Sequence, residues 1–163
     1  MTQAGAAQMR DDAVASNETE RVAALFGGAP VLRQAVKTPL DAHELLLEGL
    51  PSSAMGHLVA HLNVLGHDEA LERAVGMSIR TFQRRKKNPT KNLTREQSGR
   101  TWRFAEVLAR ATAVLGSQDE AELWLERPAM GLDQRRPIDL LATTAGVEIV
   151  DQFLKRLEYG VYV

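Results

Sequence analysis

Side chains that can read a base pair are concentrated in one short segment of this 163-residue chain. Arg80 and Arg84 carry guanidinium groups, which can bond to two acceptors of guanine, and Gln83 carries a carboxamide that can pair with adenine. Four more basic residues follow: Arg85, Lys86, Lys87 and Lys91. Such side chains neutralise phosphates, which supplies affinity but little sequence information. The segment therefore predicts contact with a nucleic acid.

Charge is strongly segregated along the chain. From Arg80 to Arg103 there are nine basic residues and one acidic residue, Glu96. Because the whole chain has 20 basic and 21 acidic residues, the remainder holds 11 basic and 20 acidic residues. The net charge of -1 thus conceals one basic band in an otherwise acidic protein. A band of this kind is expected where a protein meets a phosphate backbone.

A helix-turn-helix over about residues 68–87 would present these side chains. Its predicted inward-facing residues are all apolar: Leu71, Ala74, Val75, Met77 and Phe82. Gly76 permits the left-handed backbone of a tight turn, and Ser78 can cap the second helix. The first half of that helix, from Ser78 through Ile79 to Arg84, is then predicted to face the major groove. The alternative is a basic helix that only faces solvent, but the turn and the basic band together favour DNA binding.

The N-terminal part of the chain has weaker helical signals. Residues 1–17 are small, polar and aperiodic, so we expect a flexible arm, followed by a short helix from Glu18 to Phe26. Thr38 and Pro39 are typical of the cap and first position of a helix, which we expect to run to about Leu50.

Further helices are predicted by leucine spacing and by capping boxes. Leucines three or four residues apart predict one helix that ends at Gly66: Leu58, Leu62 and Leu65. Capping boxes at Thr94 and Ser117 begin two more, and the first of these should run to about Leu115 as the central buried helix. A last amphipathic helix covers Val147 to Val161. No segment alternates strictly between polar and apolar residues, so the predicted class is all-α.

The C-terminal third has a distinctive order of residues: Trp124-Leu125, Pro128, Gly131-Leu132, Pro137, Leu140-Leu141, Gly146 and Gly160-Val161. With the helix-turn-helix, this pattern resembles the Xre/MbcA/ParS antitoxin family over about residues 40–163. Where that family often has a second glycine after the Gly-Leu turn, this chain has Asp133-Gln134, so we expect the loop to differ in shape there. The large apolar residues of the pattern are expected in the core, and Gly146 in a turn between two helices.

The end of the chain is unusual in composition. Both tyrosines lie in the last five residues, Tyr159 to Val163, where frayed polar residues are the usual expectation. Tyrosine suits interfaces because it brings a large area with a polar end. The sequence leaves open whether this segment fills a pocket of another protein, packs on its own domain or contacts a second copy.

The resemblance favours the first of these alternatives. It implies an antitoxin that neutralises a cognate RES-domain, NAD-consuming toxin by occluding the toxin's active site with its C-terminal region, and that binds operator DNA to repress its own operon. The residues implicated in toxin binding are Lys155, Arg156, Tyr159, Gly160, Val161, Tyr162 and Val163. The predicted organisation is an arm of residues 1–17, a helical domain of residues 18–103 with the helix-turn-helix, and a toxin-binding domain of residues 104–163.

Two other functions are compatible with parts of the sequence. One is a helix-turn-helix transcription regulator whose C-terminal domain only dimerises, with no toxin partner. The other is a metalloenzyme, because His57 and His61 have the spacing of a zinc-binding pair, but the glutamate that catalysis needs between them is missing. With no phosphate-binding loop or nucleophile elbow either, we expect no enzyme activity, metal or cofactor.

The expected partners are the RES-domain toxin, double-stranded operator DNA and a second copy of the chain, which would form a homodimer inside a larger toxin–antitoxin complex. Two-fold symmetry would present two recognition helices to a palindromic site. The chain has no cysteine, no basic and apolar signal peptide, and no apolar run of about 18 residues. A cytoplasmic location without membrane contact is expected.

Overall fold

The computed structural model describes residues 3–65, 69–87 and 91–160. Its α-helices are, in chain order, α1 (Gln3–Leu25), α2 (Gly28–Leu32), α3 (Pro39–Glu48), α4 (Ser52–Ala60), α5 (Glu69–Val75), α6 (Ile79–Lys86), α7 (Arg95–Leu115), α8 (Gln118–Glu126), α9 (Pro137–Leu140) and α10 (Thr144–Glu158). A 3-10 helix, Met130–Leu132, lies between α8 and α9. Within these ranges the only β-type pairings are two isolated bridges, Pro51 with Asn92 and Ala129 with Arg135. The predicted all-α class is confirmed.

Helix α7 is the centre of the molecule, as its sequence predicts. It begins at a capping box in which Thr94 and Gln97 satisfy each other's backbone N–H groups, and it ends at Gly116. Ala105, Leu108 and Ala111 on this helix are fully buried. It contacts α1, α3, α5, α8 and α10. The predicted boundary between residues 103 and 104 falls inside this continuous helix, and the division into domains stays a prediction.

Other helix starts follow the same local chemistry. The Thr38 hydroxyl accepts from the backbone N–H of Asp41, whose carboxylate accepts from the N–H of Thr38 in return. Ser117 and Thr143 cap α8 and α10 with one bond each, by accepting from the N–H of Glu120 and of Gly146; the reciprocal bond of the capping box predicted at Ser117 is not formed. These side chains satisfy N–H groups that have no partner inside the helix.

Two helix boundaries differ from the sequence prediction. Helix α1 begins at Gln3 instead of Glu18, so residues 3–17 of the expected arm are helical. The physical reason is their alanine-rich composition, which has a high intrinsic helix propensity. Helix α4 ends at Ala60 instead of Gly66; Leu62 and Leu65 are buried, but their backbone is not helical.

None of the helices in the described ranges is both long enough and apolar enough to cross a membrane.

Candidate functional site

The turn between α5 and α6 has the geometry of a helix-turn-helix. Helix α5 is closed by the N–H groups of Gly76 and Met77, which both donate to the carbonyl of Glu72, at 2.8 and 3.1 Å. Gly76 has φ +71°, in the left-handed region that favours glycine. Met77 is buried in the angle between the two helices. Both roles agree with the sequence prediction.

The start of α6 is fixed by a cap and by one aromatic anchor. The Ser78 hydroxyl accepts from the backbone N–H of Thr81 at 3.1 Å. Phe82 is only 7% exposed, and its ring packs against Gly56 of α4. With Phe82 facing inward, Arg80, Gln83 and Arg84 are exposed on the outer side of the helix. The structure thus brings together the three side chains that the sequence identified as base-reading candidates.

The remaining predicted DNA contacts are either exposed or have side chains outside the described set. Lys87 and Lys91 are exposed. The carbonyl of Lys91 accepts from the Ser52 hydroxyl, and the next hydrogen bond, from the N–H of Leu93 to the carbonyl of Leu50, measures 2.8 Å and ties the segment to the start of α4. Ile79, Arg85 and Lys86 belong to α6, but their side chains lie outside the described set. All nine positions stay predictions as DNA contacts.

Arg100, one of the nine residues of the basic band, has a structural role that the sequence did not indicate. Its guanidinium group donates to the carbonyls of Arg73 and Ala74 at the end of α5, and to that of Ala142 before α10 at 3.5 Å. A side chain at Gly76 would place its Cβ 2.6 Å from this guanidinium group. The turn therefore needs glycine for its backbone conformation, and a side chain there would also have to displace this guanidinium group.

Glu122 on α8 is a second residue with a structural role that sequence reasoning missed. Its side chain is fully buried and accepts the backbone N–H groups of Asn63, Val64 and Leu65, at 3.2, 2.6 and 3.1 Å. Gln118 also donates to it, at 2.7 Å. These bonds take the N–H groups that would have continued α4, which explains why that helix ends early. They join the C-terminal part of the chain to the loop that leads to the helix-turn-helix.

An exposed ion pair reinforces this connection. Arg73 of α5 lies 3.2 Å from the carboxylate of Asp139 on α9, and Arg136 lies 2.8 Å from the same carboxylate. Hydrogen bonds from Arg136, and then from Arg73, hold the pKa of Asp139 below its usual range. The first helix of the helix-turn-helix is thus tied to the C-terminal part of the molecule by Arg100 and Asp139, and the loop at residues 63–65 by Glu122.

Helix α10 is anchored by one buried face and one ion cluster. Val150 and Leu154 are fully buried. On another side of the helix, Asp151 pairs with Arg110 of α7 and with Lys155, the latter at 2.9 Å. Arg110 also reaches Glu18 of α1 at 2.5 Å. Helices α1, α7 and α10 are therefore held together by half-buried charges as well as by apolar packing.

Gly146 does not occupy the turn that its sequence position suggested. It lies in the first turn of α10, and its N–H donates to Thr143. A Cβ at this position would overlap with the backbone carbonyl of Leu140. The expectation of a turn is wrong, and the reason for glycine is the close approach between α9 and α10.

The predicted toxin-binding residues lie at the end of α10. Arg156 is exposed, whereas Lys155 is engaged with Asp151. Tyr159 is 79% exposed, and Gly160 has a positive φ of 69°. The predictions on Val161, Tyr162 and Val163 lie outside the described residues. Which of these residues bind a toxin stays a prediction.

Trp124 and Leu140 are the large apolar residues of the C-terminal pattern that the structure leaves only partly buried. Leu125 and Leu141 are buried, but Trp124 is only half-buried and stacks on Phe153 of α10, with the two ring centroids 6.0 Å apart. The indole therefore fills the space between α8 and α10 while part of it reaches the surface.

His57 of α4 and His61, which follows the end of that helix, have hydrogen-bond partners of their own. Their rings stack, with centroids 4.1 Å apart. Nδ1 of His57 lies 3.1 Å from the carbonyl of Leu25, and Nδ1 of His61 lies 2.8 Å from the carbonyl of His57. Among the described residues, no three or more histidine, aspartate or glutamate side chains are grouped as a metal ion would require.

Comparison with known proteins identifies both parts of the chain. Residues 41–106 match the model of the antitoxin Xre-like helix-turn-helix domain, and residues 110–160 match that of the antitoxin Xre/MbcA/ParS C-terminal toxin-binding domain. A curated protein of Photorhabdus laumondii, "Antitoxin Xre", is 31% identical over 118 residues, which cover 72% of this chain and 78% of that protein.

Two further relatives carry the same name. The protein of Yersinia enterocolitica is 35% identical over 91 residues, or 55% of this chain and 61% of that protein. The protein of Pseudomonas putida is 32% identical over 68 residues, or 42% and 43%. The ranges matched by the two family models contain the turn at Gly76 and the anchored helix α10. On these grounds the chain belongs to the Xre antitoxin family, with a helix-turn-helix domain and a C-terminal toxin-binding domain.

Proposed function

We propose that this antitoxin neutralises a RES-domain toxin that consumes NAD, by covering the toxin's active site with its own C-terminal region. The observation that carries this proposal is the 79% exposure of Tyr159 directly after a helix that is firmly anchored. A large amphipathic side chain held at the edge of a toxin-binding domain is suited to enter a pocket of another protein. The RES class of the toxin and its use of NAD come from the family resemblance.

Different residues of α10 would anchor the helix and contact the toxin. Val150, Leu154 and the pair of Arg110 with Asp151 hold the helix in place, so little ordering is needed when a toxin binds. Gly160 has a positive φ of 69°, a conformation typical of the residue that follows a helix. Arg156 is the better candidate than Lys155 for a polar contact, because Lys155 is already paired within the helix.

The second half of the proposal is repression of the antitoxin's own operon. Arg80, Gln83 and Arg84 are exposed on one side of α6. In this family of folds the second helix enters the major groove, where such side chains bond to base edges. A homodimer would place two of these helices about one helical turn of DNA apart, and would gain affinity from both half-sites.

Co-expression with the toxin tests the first half. The full chain and a chain that ends at Glu158 are expressed with the neighbouring toxin gene, and growth and cellular NAD are measured. We expect the full chain to preserve NAD and the shortened chain to fail. Circular dichroism and operator binding serve as controls, since both should be unchanged by the truncation.

Equal protection by the two chains would contradict occlusion by the tail and would leave another face of the toxin-binding domain as the inhibitor. If the toxin arrests growth without lowering cellular NAD, the assignment of the toxin to the NAD-consuming RES class fails. Binding of the full chain to the DNA upstream of its gene, measured by fluorescence anisotropy, tests the second half in the same preparation.

A further inference from the structure

An apolar surface lies on the toxin-binding domain, separate from the C-terminal tail. Met130 is 84% exposed, which is the highest value among the large hydrophobic side chains that the structure describes. Ile149 on α10 is 49% exposed. Moving large apolar groups out of water is favourable, so a pair of them exposed on one domain indicates a surface that binds a partner.

The segments that carry the two side chains are adjacent, because the 3-10 helix packs directly on α10. A Cβ at Gly131 would overlap with the ring of Phe153, so the backbone next to Met130 lies against that ring. Ile149 is one helical turn before Phe153 and lies on the same side of α10. Phe153 is half-buried and stacks on Trp124. We call Met130, Ile149 and Phe153 the 130–153 patch.

The loop that carries Met130 is held rigidly and under strain. The N–H groups of Leu132 and Gln134 both donate to the carbonyl of Ala129 at 3.0 Å, and Leu132 is buried beneath the loop. Asp133 and Gln134 have φ values of 52° and 60°, in the left-handed region that non-glycine residues rarely adopt. Strained backbone of this kind persists where the surrounding structure enforces it, and it is concentrated at binding sites.

We propose that the 130–153 patch is a second docking surface for the toxin, in addition to the tail. The proposal rests on the proposed function, in which this domain holds the toxin. The whole patch lies inside the residues 110–160 that match a toxin-binding domain, and it continues along α10 to Arg156 and the start of the tail. Exposed residues of both signs lie near it along the chain, Arg127, Arg135 and Arg156 with Asp133 and Glu148, so the toxin surface it fits is apolar in the centre with mixed charge at the rim.

A pair of substitutions that introduce negative charge, with a matched control pair, tests the patch. Met130→Glu combined with Ile149→Glu introduces two carboxylates into it. Leu40→Glu combined with Leu47→Glu makes the same change on α3 of the helix-turn-helix domain, where the leucines are 64% and 46% exposed. Affinity for the purified product of the neighbouring toxin gene is measured by biolayer interferometry with the full chain.

We expect the patch variant to bind the toxin at least about 30-fold more weakly than the wild type, because each substitution replaces an apolar anchor with a carboxylate that would be buried at the interface without a partner. The α3 variant should bind within about twofold of the wild type. Thermal unfolding and operator binding show whether each variant is folded. Met130→Ala alone, which adds no charge, should weaken binding in the same direction by a smaller factor.

Wild-type affinity in the patch variant and in Met130→Ala would overturn the proposal while leaving the proposed function intact. A wild-type chain that binds no toxin would instead refute the function on which it rests. Sedimentation without toxin separates a third result: if the patch variant, but not the α3 variant, changes from dimer to monomer, the patch joins two copies of this chain and the proposal is wrong.

Discussion

Replacing Glu122 tests how the helix-turn-helix is joined to the toxin-binding domain. The carboxylate is fully buried and accepts three consecutive backbone N–H groups, those of Asn63, Val64 and Leu65, as well as the side-chain amide of Gln118. A glutamine at this position keeps the volume and one acceptor oxygen, but it presents an NH₂ group to some of these donors.

The expected loss follows from the exposure of the three donors. Hydrogen bonds to a charged group contribute about 1.5–3 kcal/mol each, but a donor that can reach water loses much less. Asn63 is exposed, Val64 is half-buried and Leu65 is buried, so roughly one full bond and part of another are at stake. We expect Glu122→Gln to lower the free energy of unfolding by about 2–3 kcal/mol. Glu122→Ala should cost about 3–5 kcal/mol, because it removes every acceptor and leaves a cavity.

Urea unfolding followed by circular dichroism measures this change at neutral pH. Glu120→Gln is the matched control, because Glu120 is an exposed glutamate of the same helix and should change stability by less than about 0.5 kcal/mol. Amide hydrogen exchange gives an independent readout, since the N–H groups of residues 63–65 should lose protection selectively in the Glu122 variants. If Glu122→Gln unfolds within about 0.5 kcal/mol of the wild type and protects these amides equally, the carboxylate does not hold the loop.

Three other predictions follow from contacts described above. Gly146→Ala should destabilise the protein by about 2 kcal/mol in urea unfolding, because the new methyl group meets a backbone carbonyl that cannot move aside; an unchanged midpoint would contradict the close approach of α9 and α10. In fluorescence anisotropy, Arg84→Ala should weaken operator binding about tenfold or more and relax the preference at one base pair, whereas Lys87→Ala should weaken all sequences alike and reduce the salt slope by about 1; identical behaviour of the two variants would argue against base reading by α6. Asp139 has a lowered pKa, mainly because of Arg136, so its charged form stabilises the fold above the unfolded-state pKa and this contribution is lost as the pH falls through the native pKa. Asp139→Asn should therefore reduce stability by no more than about 1 kcal/mol at pH 7, and in unfolding experiments the difference from wild type should begin to shrink as the pH falls below about 4 and vanish only below the lowered native pKa; a constant difference across this range would refute the ion pair as its cause.

The sequence by itself determined the local features of this protein. The caps at Thr38 and Thr94, the turn at Gly76 and the inward position of Phe82 each depend on residues a few positions apart, so their patterns are visible along the chain. The exposure of Arg80, Gln83 and Arg84 then followed from helical geometry alone. The order of residues in the C-terminal third was specific enough to indicate the family before any fold was known.

The tertiary structure decided what depends on residues far apart. Leu62 and Leu65 have helical spacing, yet the helix ends before them because Glu122, nearly 60 residues later, takes their loop's N–H groups. Arg100 belongs to the basic band, but its guanidinium group donates to the carbonyls at the end of α5. Gly146 reads as a turn residue until the backbone of α9 is seen beside it. In each case a backbone group is satisfied or approached by a partner that no local pattern encodes, because burial leaves every polar group in need of a partner without specifying where in the chain that partner lies.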